Sequence, residues 1–444
     1  MIVVRPVQRF LNTEASGGLL LLGAAAIALI WSNSSWADSY EEVWHTRLSF
    51  RLGSWELAED LRHIINDALM AIFFFVVGLE IKREFVVGEL RDKRTAALSF
   101  FGAAGGMVVP ALLYAWVNWG GEGARGWGVP MATDIAFAVG VLAIAGKGLS
   151  PSLKVFLLSL AIVDDIGAII VIALFYSQSI SGQALAVAAV LLMLIVGLKR
   201  AQVRSTFIYV VLGAGVWLAV FQSGVHATIA GVALGLLTPA LPFHASKGVS
   251  EEARDIADRT PDDPVPSDAE AAEWLLLAGV AREAVSPLTR LEHSLHPLTS
   301  FVIVPLFALA NAGVRLNAET LGRTFSSPVT LGVILGLVAG KIAGITLGAW
   351  LGIRFKLARL PGGMSWLHLT AVAAVAGVGF TVSLFIADLA FNEPELLEAA
   401  KTGIVAASVL AGLIGGTLLK VLKRAEIEPG EHPQRTAGGK TIVS

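Results

Sequence analysis

Apolar runs of about twenty residues, parted by short polar stretches, recur along the whole chain. Each is long enough to cross a bilayer as one helix, and a helix satisfies its own backbone in lipid. Read this way, hydropathy predicts about twelve spans. The first run, Leu19 to Trp31, lacks an Ala-x-Ala-like cleavage site and is read as a span, not a removed signal peptide. Two stretches depart from the pattern. Residues 44–60 alternate apolar and polar around Gly53, as a β-hairpin does. Residues 244–286 are acidic and carry Pro261, Pro264 and Pro266. They read as a partly disordered insert with a short amphipathic helix near 268–284.

Basic residues set the orientation. Lys82, Arg83, Arg91, Lys93 and Arg94 share one set of alternate loops with Lys147, Lys154, Lys199, Arg200, Arg204, Arg354, Lys356 and Arg359. That set is expected to be cytoplasmic, together with both termini and the insert, which places the hairpin outside. The fold expected is an all-α polytopic membrane protein of about twelve transmembrane helices plus an external β-hairpin.

Composition agrees. The 444 residues are 55% hydrophobic and only 15% charged, with mean hydropathy +0.71. A net charge of −2 gives no basic field for nucleic acid. The absence of cysteine excludes disulfides, zinc thiolate sites and iron–sulfur clusters.

Against this background, four charges stand out. Asp164 and Asp165 are the tenth and eleventh residues of the apolar run Val155–Phe175, Lys341 is the eleventh of Leu331–Trp350, and Asp134 lies within Gly128–Ala145. Each costs a few kcal/mol on insertion scales, roughly 2.5–3.5, a cost tied to a charge partner, a proton or a water-filled path. Successive helical residues point about 100° apart, so one aspartate of the pair can meet Lys341 while its neighbour faces a cavity. Two of the spans look interrupted: Pro130 precedes Asp134, and Gly377 and Gly379 sit mid-span in Ala376–Thr381. They fall at the middle of spans 3–5 and of spans 10–12, which points to inverted repeats whose discontinuous helices cross at the midplane. Hydroxyls (Thr133, Thr381) and carboxylates suit a hard cation. A carboxylate that binds a cation also binds a proton, so the two compete, and alternating exposure of that group is antiport.

These residues carry a resemblance. Asn66-Asp67-Ala68-Leu69-Met70-Ala71, Gly78-Leu79-Glu80-Ile81-Lys82-Arg83-Glu84, Ala132-Thr133-Asp134-Ile135-Ala136-Phe137-Ala138, Ala161 to Ile170 around the aspartate pair, Ser223-Gly224-Val225-His226-Ala227-Thr228, Arg290 to Pro297 and Gly379-Phe380-Thr381 occur in one order over about residues 10–425. The chain resembles the bacterial NhaA family of Na+/H+ antiporters, itself a known example of inverted-topology repeats. The resemblance implies that Asp165 and Asp134, with Thr133, bind Na+ or Li+. It implies that Asp164 pairs with Lys341 and that this pair opens as the ion binds. It further implies electrogenic exchange of two protons per sodium on Asp164, Asp165 and Lys341. A pH-sensing region would map onto Glu80, Arg83, Glu84, Glu292, His293 and His296, with His226 as a further candidate. The hairpin would join two copies into a homodimer. The setting would be the bacterial inner membrane, with the lipid bilayer as surroundings and no cofactor.

The divisions expected are 1–94 (spans 1 and 2 with the hairpin, on the dimer side) and 95–176 (spans 3–5, the first repeat). Next come 177–312 (spans 6–9 and the insert) and 328–424 (spans 10–12, the second repeat). The tail, 425–444, is read as disordered. Asp388 is an extra acid without an assigned role. A sodium-coupled symporter of a small organic solute is the alternative. An intramembrane aspartyl protease would need a Gly-x-Gly-Asp element, which is missing.

Overall fold

The computed structural model describes residues 15–52, 55–177, 180–203, 205–242, 246–259, 268–315, 322 and 326–427. The turn of the expected hairpin at Gly53 and all of 428–444 lie outside the described residues. Within them the chain is a bundle of apolar helices, and its arrangement is that of a multi-pass membrane protein.

In chain order, α1 spans Ala15–Ser32 and α2 Ala37–Trp44. Strands β1 (Arg47–Leu52) and β2 (Trp55–Asp60) pair antiparallel, Arg47 opposite Asp60. Then come α3 (Leu61–Val86), α4 (Lys93–Val117), a 3₁₀ segment (Glu122–Met131), α5 (Ile135–Ala145) and α6 (Pro151–Phe175). They are followed by α7 (Gly182–Arg200), α8 (Thr206–Phe221), α9 (Thr228–Leu237), α10 (Ser246–Arg259), α11 (Asp268–Glu283) and α12 (Pro287–Asn311). The chain closes with α13 (Pro328–Arg354), α14 (Trp366–Ala376), α15 (Phe380–Ala390) and α16 (Pro394–Ile427).

Among the described residues, seven helices are long and apolar enough to cross a membrane outright. Three bent pairs also qualify, and α8 and α9 are shorter apolar helices. Two of the bent pairs are the interrupted spans: the 3₁₀ segment with α5, and α14 with α15, each turning by 48°. The insert carries more helix than expected. Besides α11, which covers the anticipated 268–284 stretch, α10 forms and packs on it, and Ile256 of α10 and Leu277 of α11 are both buried.

α4 packs along α13 and also meets α6 and the 3₁₀ segment. The contact with α13 depends on glycine: a Cβ on Gly105 would overlap the carbonyl oxygen of Gly344, and a Cβ on Gly344 would overlap that of Gly105. Small residues let membrane helices approach at backbone distance, where packing takes the place of a hydrophobic driving force. α16 lies against α13, α14 and α15, and α3 against α9. Three helices contain one widened π-type turn, at Ile65–Leu69, Thr299–Ile303 and Leu335–Gly340. The last of these ends immediately before Lys341. Such turns re-aim the side chains around them and recur at functional sites.

Candidate functional site

The two interrupted spans meet at their breaks. The 3₁₀ segment stops at Met131, Ala132 is extended, and α5 begins after Asp134. Pro130, which lacks an N–H, lies inside the 3₁₀ segment just before this point. In the partner span, α14 stops at Ala376 and α15 starts at Phe380. The backbone N–H of Asp134 donates to the carbonyl of Val378 at 2.7 Å, so the breaks are bonded to each other directly. Gly377 and Gly379 have ordinary negative φ; they are required by crowding. A Cβ on Gly377 would strike the carbonyl of Leu337, and one on Gly379 would lie 3.0 Å from that of Ala132.

Asp134 occupies the crossing point and is 2% exposed. Its Oδ1 accepts from the N–H of Phe137 at 3.0 Å, capping its own helix α5. Its Oδ2 accepts from the N–H of Thr381 at 3.0 Å and from the Thr381 hydroxyl at 2.6 Å, capping α15. One carboxylate thus offsets the partial positive charge of two helix starts. Ser383 of α15 donates to the carbonyl of Val129 at 2.8 Å and secures the other side of the crossing. The Tyr176 hydroxyl holds the 3₁₀ segment, accepting from Gly128 N at 3.1 Å and donating to Arg125 O at 2.8 Å.

Beside the crossing, Lys341 and Asp164, both fully buried, form a short ion pair. The Lys341 ammonium also donates to the Thr133 hydroxyl at 3.1 Å. That hydroxyl lies 2.7 Å from Asp164 Oδ2 and 2.9 Å from the carbonyl of Ala376, with one proton to give to either. The C-terminal end of α14 is therefore met by Thr133, with Lys341 behind it. Asp164 Oδ1 and Asp165 Oδ1 are buried without a hydrogen-bond partner among the described residues. Asp165, 3% exposed, lies in the field of Asp164, Glu80 and Asp134, with Lys341 opposing them. The geometry thus resolves the pair: Asp164 takes the lysine and Asp165 is left open. Among the described residues no group of three or more His, Cys, Asp or Glu side chains converges as a metal site.

The residues expected to sense pH divide into separate places. Arg83 on α3 makes a short ion pair with Glu292 on α12 and reaches Glu84 at 3.4 Å. Glu80 feels all three, and its charge also acts on Asp165, so it stands between that cluster and the midplane. His293 and His296 are exposed on α12. His226 is in the loop before α9, where its Nε2 donates to the carbonyl of Tyr176 at 2.8 Å; Asp388 and His63 are the charges that act on it. The carbonyls of Val378 and Ala376, and the tyrosine that holds the 3₁₀ segment, carry no signal in the sequence. The Thr381 hydroxyl does, through its place beside Gly379.

Membrane-length helices, with two interrupted spans crossing beside a buried acid–lysine pair, define a membrane transporter. The chain belongs to the Na+/H+ antiporter 1 family, which it matches over residues 8–419. It is 46% identical over 417 residues to "Na(+)/H(+) antiporter NhaA" of Janthinobacterium sp. (strain Marseille), covering 92% of this chain and 91% of that one. "Na(+)/H(+) antiporter NhaA" of Rhodopirellula baltica is 47% identical over 421 residues, 94% of each. A solved sodium proton antiporter from Methanocaldococcus jannaschii covers 92% of this chain and 91% of its own at 14% identity and a TM-score of 0.46, too distant to add to the fold.

Proposed function

We propose that this chain expels Na+ or Li+ in exchange for H+ by alternating access at the Asp164–Asp165 site. One observation carries the reading: of two adjacent buried carboxylates, one is held by a lysine, while the other has no such charge partner and has an oxygen without a partner among the described residues. A cation entering at Asp165 draws on Asp134 and Thr133 as further oxygen ligands, and Lys341 then leaves Asp164 as the ion binds. Protons return to the same carboxylates from the other side. Since ion and proton use one site, neither crosses without displacing the other. Asp134 contributes through the crossing it holds together and through its charge near Asp165.

Finer features belong to the same proposal. Exchange is electrogenic, two protons per sodium, and regulated by pH through Glu80, Arg83, Glu84, Glu292, His293 and His296, with His226 acting from its own location. The chain has about twelve spans, with repeats at spans 3–5 and 10–12, and both termini are cytoplasmic at the bacterial inner membrane. The β1–β2 pair faces outside and joins two copies; a two-stranded ribbon is marginal alone and gains by such packing. The symport reading has no support in the relatives, which are named as antiporters.

The test is collapse of a pH gradient in inside-out vesicles on adding Na+, Li+, K+ or an organic solute. Na+ and Li+ are expected to collapse it. Asp165→Asn abolishes the response while leaving the protein folded, and normal exchange by that variant refutes the site.

A further inference from the structure

Asp388 is a half-buried acid that the exchange chemistry leaves unused. It lies on α15 seven residues beyond Thr381. By helical periodicity that is about two turns, so both residues share one face roughly 10 Å apart. Asn66 on α3 donates from Nδ2 to Asp388 Oδ2 at 2.9 Å. Asn66 is 5% exposed and its Oδ1 accepts from Asn311 of α12 at 2.8 Å. Asn311 in turn donates to the carbonyl of Phe307 at 3.0 Å. Asn66 sits in the widened turn Ile65–Leu69, the kind of irregularity that redirects a side chain.

A second layer lies between this polar layer and the crossing. Phe385, four residues past Thr381 and fully buried, packs on Phe74 of α3 at 5.5 Å and on Phe307 of α12 at 6.3 Å between ring centroids. Polar and aromatic contacts thus join the same three elements: α15, which carries part of the site, and its neighbours α3 and α12. The remaining charges around Asp388 come from other elements. Asp67 of α3, His226 before α9 and Lys401 of α16 all feel its charge. Lys401 is 6% exposed and makes no ion pair among the described residues.

We propose that Asp388 is a positioning residue that keeps the outer end of the transport path shut: its bond to Asn66 and the Phe74–Phe385–Phe307 contact form one seal, which must part before the midplane site faces outside. The proposal rests on the alternating-access reading above. The bond needs an acceptor at this position and not a charge, so a carboxamide serves and an aliphatic side chain does not.

The chain has no cysteine, so one introduced thiol is a clean reporter. Leu384→Cys places it on α15 next to Phe385 of the seal, at a fully buried position. A membrane-impermeant maleimide is applied from outside to right-side-out vesicles, and separately from the cytoplasmic side to inverted ones. In the Leu384→Cys parent, external labelling is slow. Adding Asn66→Ala or Asp388→Leu speeds it about tenfold, the upper end of what one lost hydrogen bond is worth, while cytoplasmic labelling does not rise. Adding Asp388→Asn keeps the parent rate. Unchanged external labelling in Asn66→Ala overturns the proposal even if Asp388→Leu fails to fold. So does equal acceleration from both sides, which marks a loosened fold, or an Asp388→Asn rate matching Asp388→Leu. Labelling needs no ion gradient, so a seal that behaves as described in a protein that moves no Na+ counts against the exchange reading alone.

Discussion

Lys341→Met isolates the central ion pair. Methionine keeps most of the lysine stem, so the change is chiefly the loss of the ammonium. Asp164 Oδ2 then keeps only the Thr133 hydroxyl, whose single proton the Ala376 carbonyl also attracts, and Oδ1 has no partner among the described residues. Removing one member of a buried pair costs about 3–5 kcal/mol, because the other charge is left uncompensated. Lys341→Ala adds a cavity term on the order of 2 kcal/mol. The penalty attaches to the ionised carboxylate, so it shrinks as the medium is acidified and Asp164 takes a proton. In the Asp164→Asn/Lys341→Met double variant both charges are gone, and most of the lost stability returns as a coupling energy. The measurement is unfolding in detergent titrated with dodecyl sulfate, at alkaline and at mildly acidic pH. Full stability of Lys341→Met at alkaline pH refutes the reasoning, as does a double variant no better than the single.

Three other outcomes are expected. Gly344→Leu drives a side chain into the carbonyl of Gly105 and lowers stability by about 1–3 kcal/mol or more; the same unfolding titration checks it, and no change would mean that α4 and α13 do not touch there. Tyr176→Phe keeps the ring against Trp127 but strips the 3₁₀ segment of two bonds, at about 1–3 kcal/mol, read as faster hydrogen exchange at Gly128. Asp60 caps the start of α3 through the N–H of His63 at 2.7 Å. Burial raises its pKa, but the bonds to His63 and His45 outweigh that and hold it below 3.8. Because the folded value is the lower one, the cap contributes fully above pH 3.8 and is lost as pH falls through the folded value; Asp60→Ala costs about 1 kcal/mol near neutral pH, a difference in hydrogen exchange at His63 that fades in acid.

The central charges were legible because each interrupts an apolar run, and lipid makes such interruptions costly. The sequence also marked both breaks, though for an incomplete reason. Gly377 and Gly379 suggested a weakened helix, whereas the structure shows them packed too closely for any side chain. Periodicity separated Asp164 from Asp165 but left open which one meets Lys341; only the packing of α4 against both α13 and α6 selects Asp164. His226 is remote from Arg83 and Glu292 because it precedes α9, and linear order carries no such distance. The widened turns before Lys341 and around Asn66 have no sequence pattern of their own. α10 was missed because its many charges resemble those of a disordered linker.

Asp134 binds the starts of two helices that are 247 residues apart in the hydrogen bond to Thr381. The chain therefore cannot fold this crossing progressively: Asp134 caps its own helix α5 at once, but its second carboxylate oxygen waits until α15 has been made and delivered. A variant lacking that carboxylate would fail at assembly before it failed at transport. Its inactivity would then mix an unlocked joint with a vanished ligand, which makes Asp165 the cleaner residue on which to count sodium.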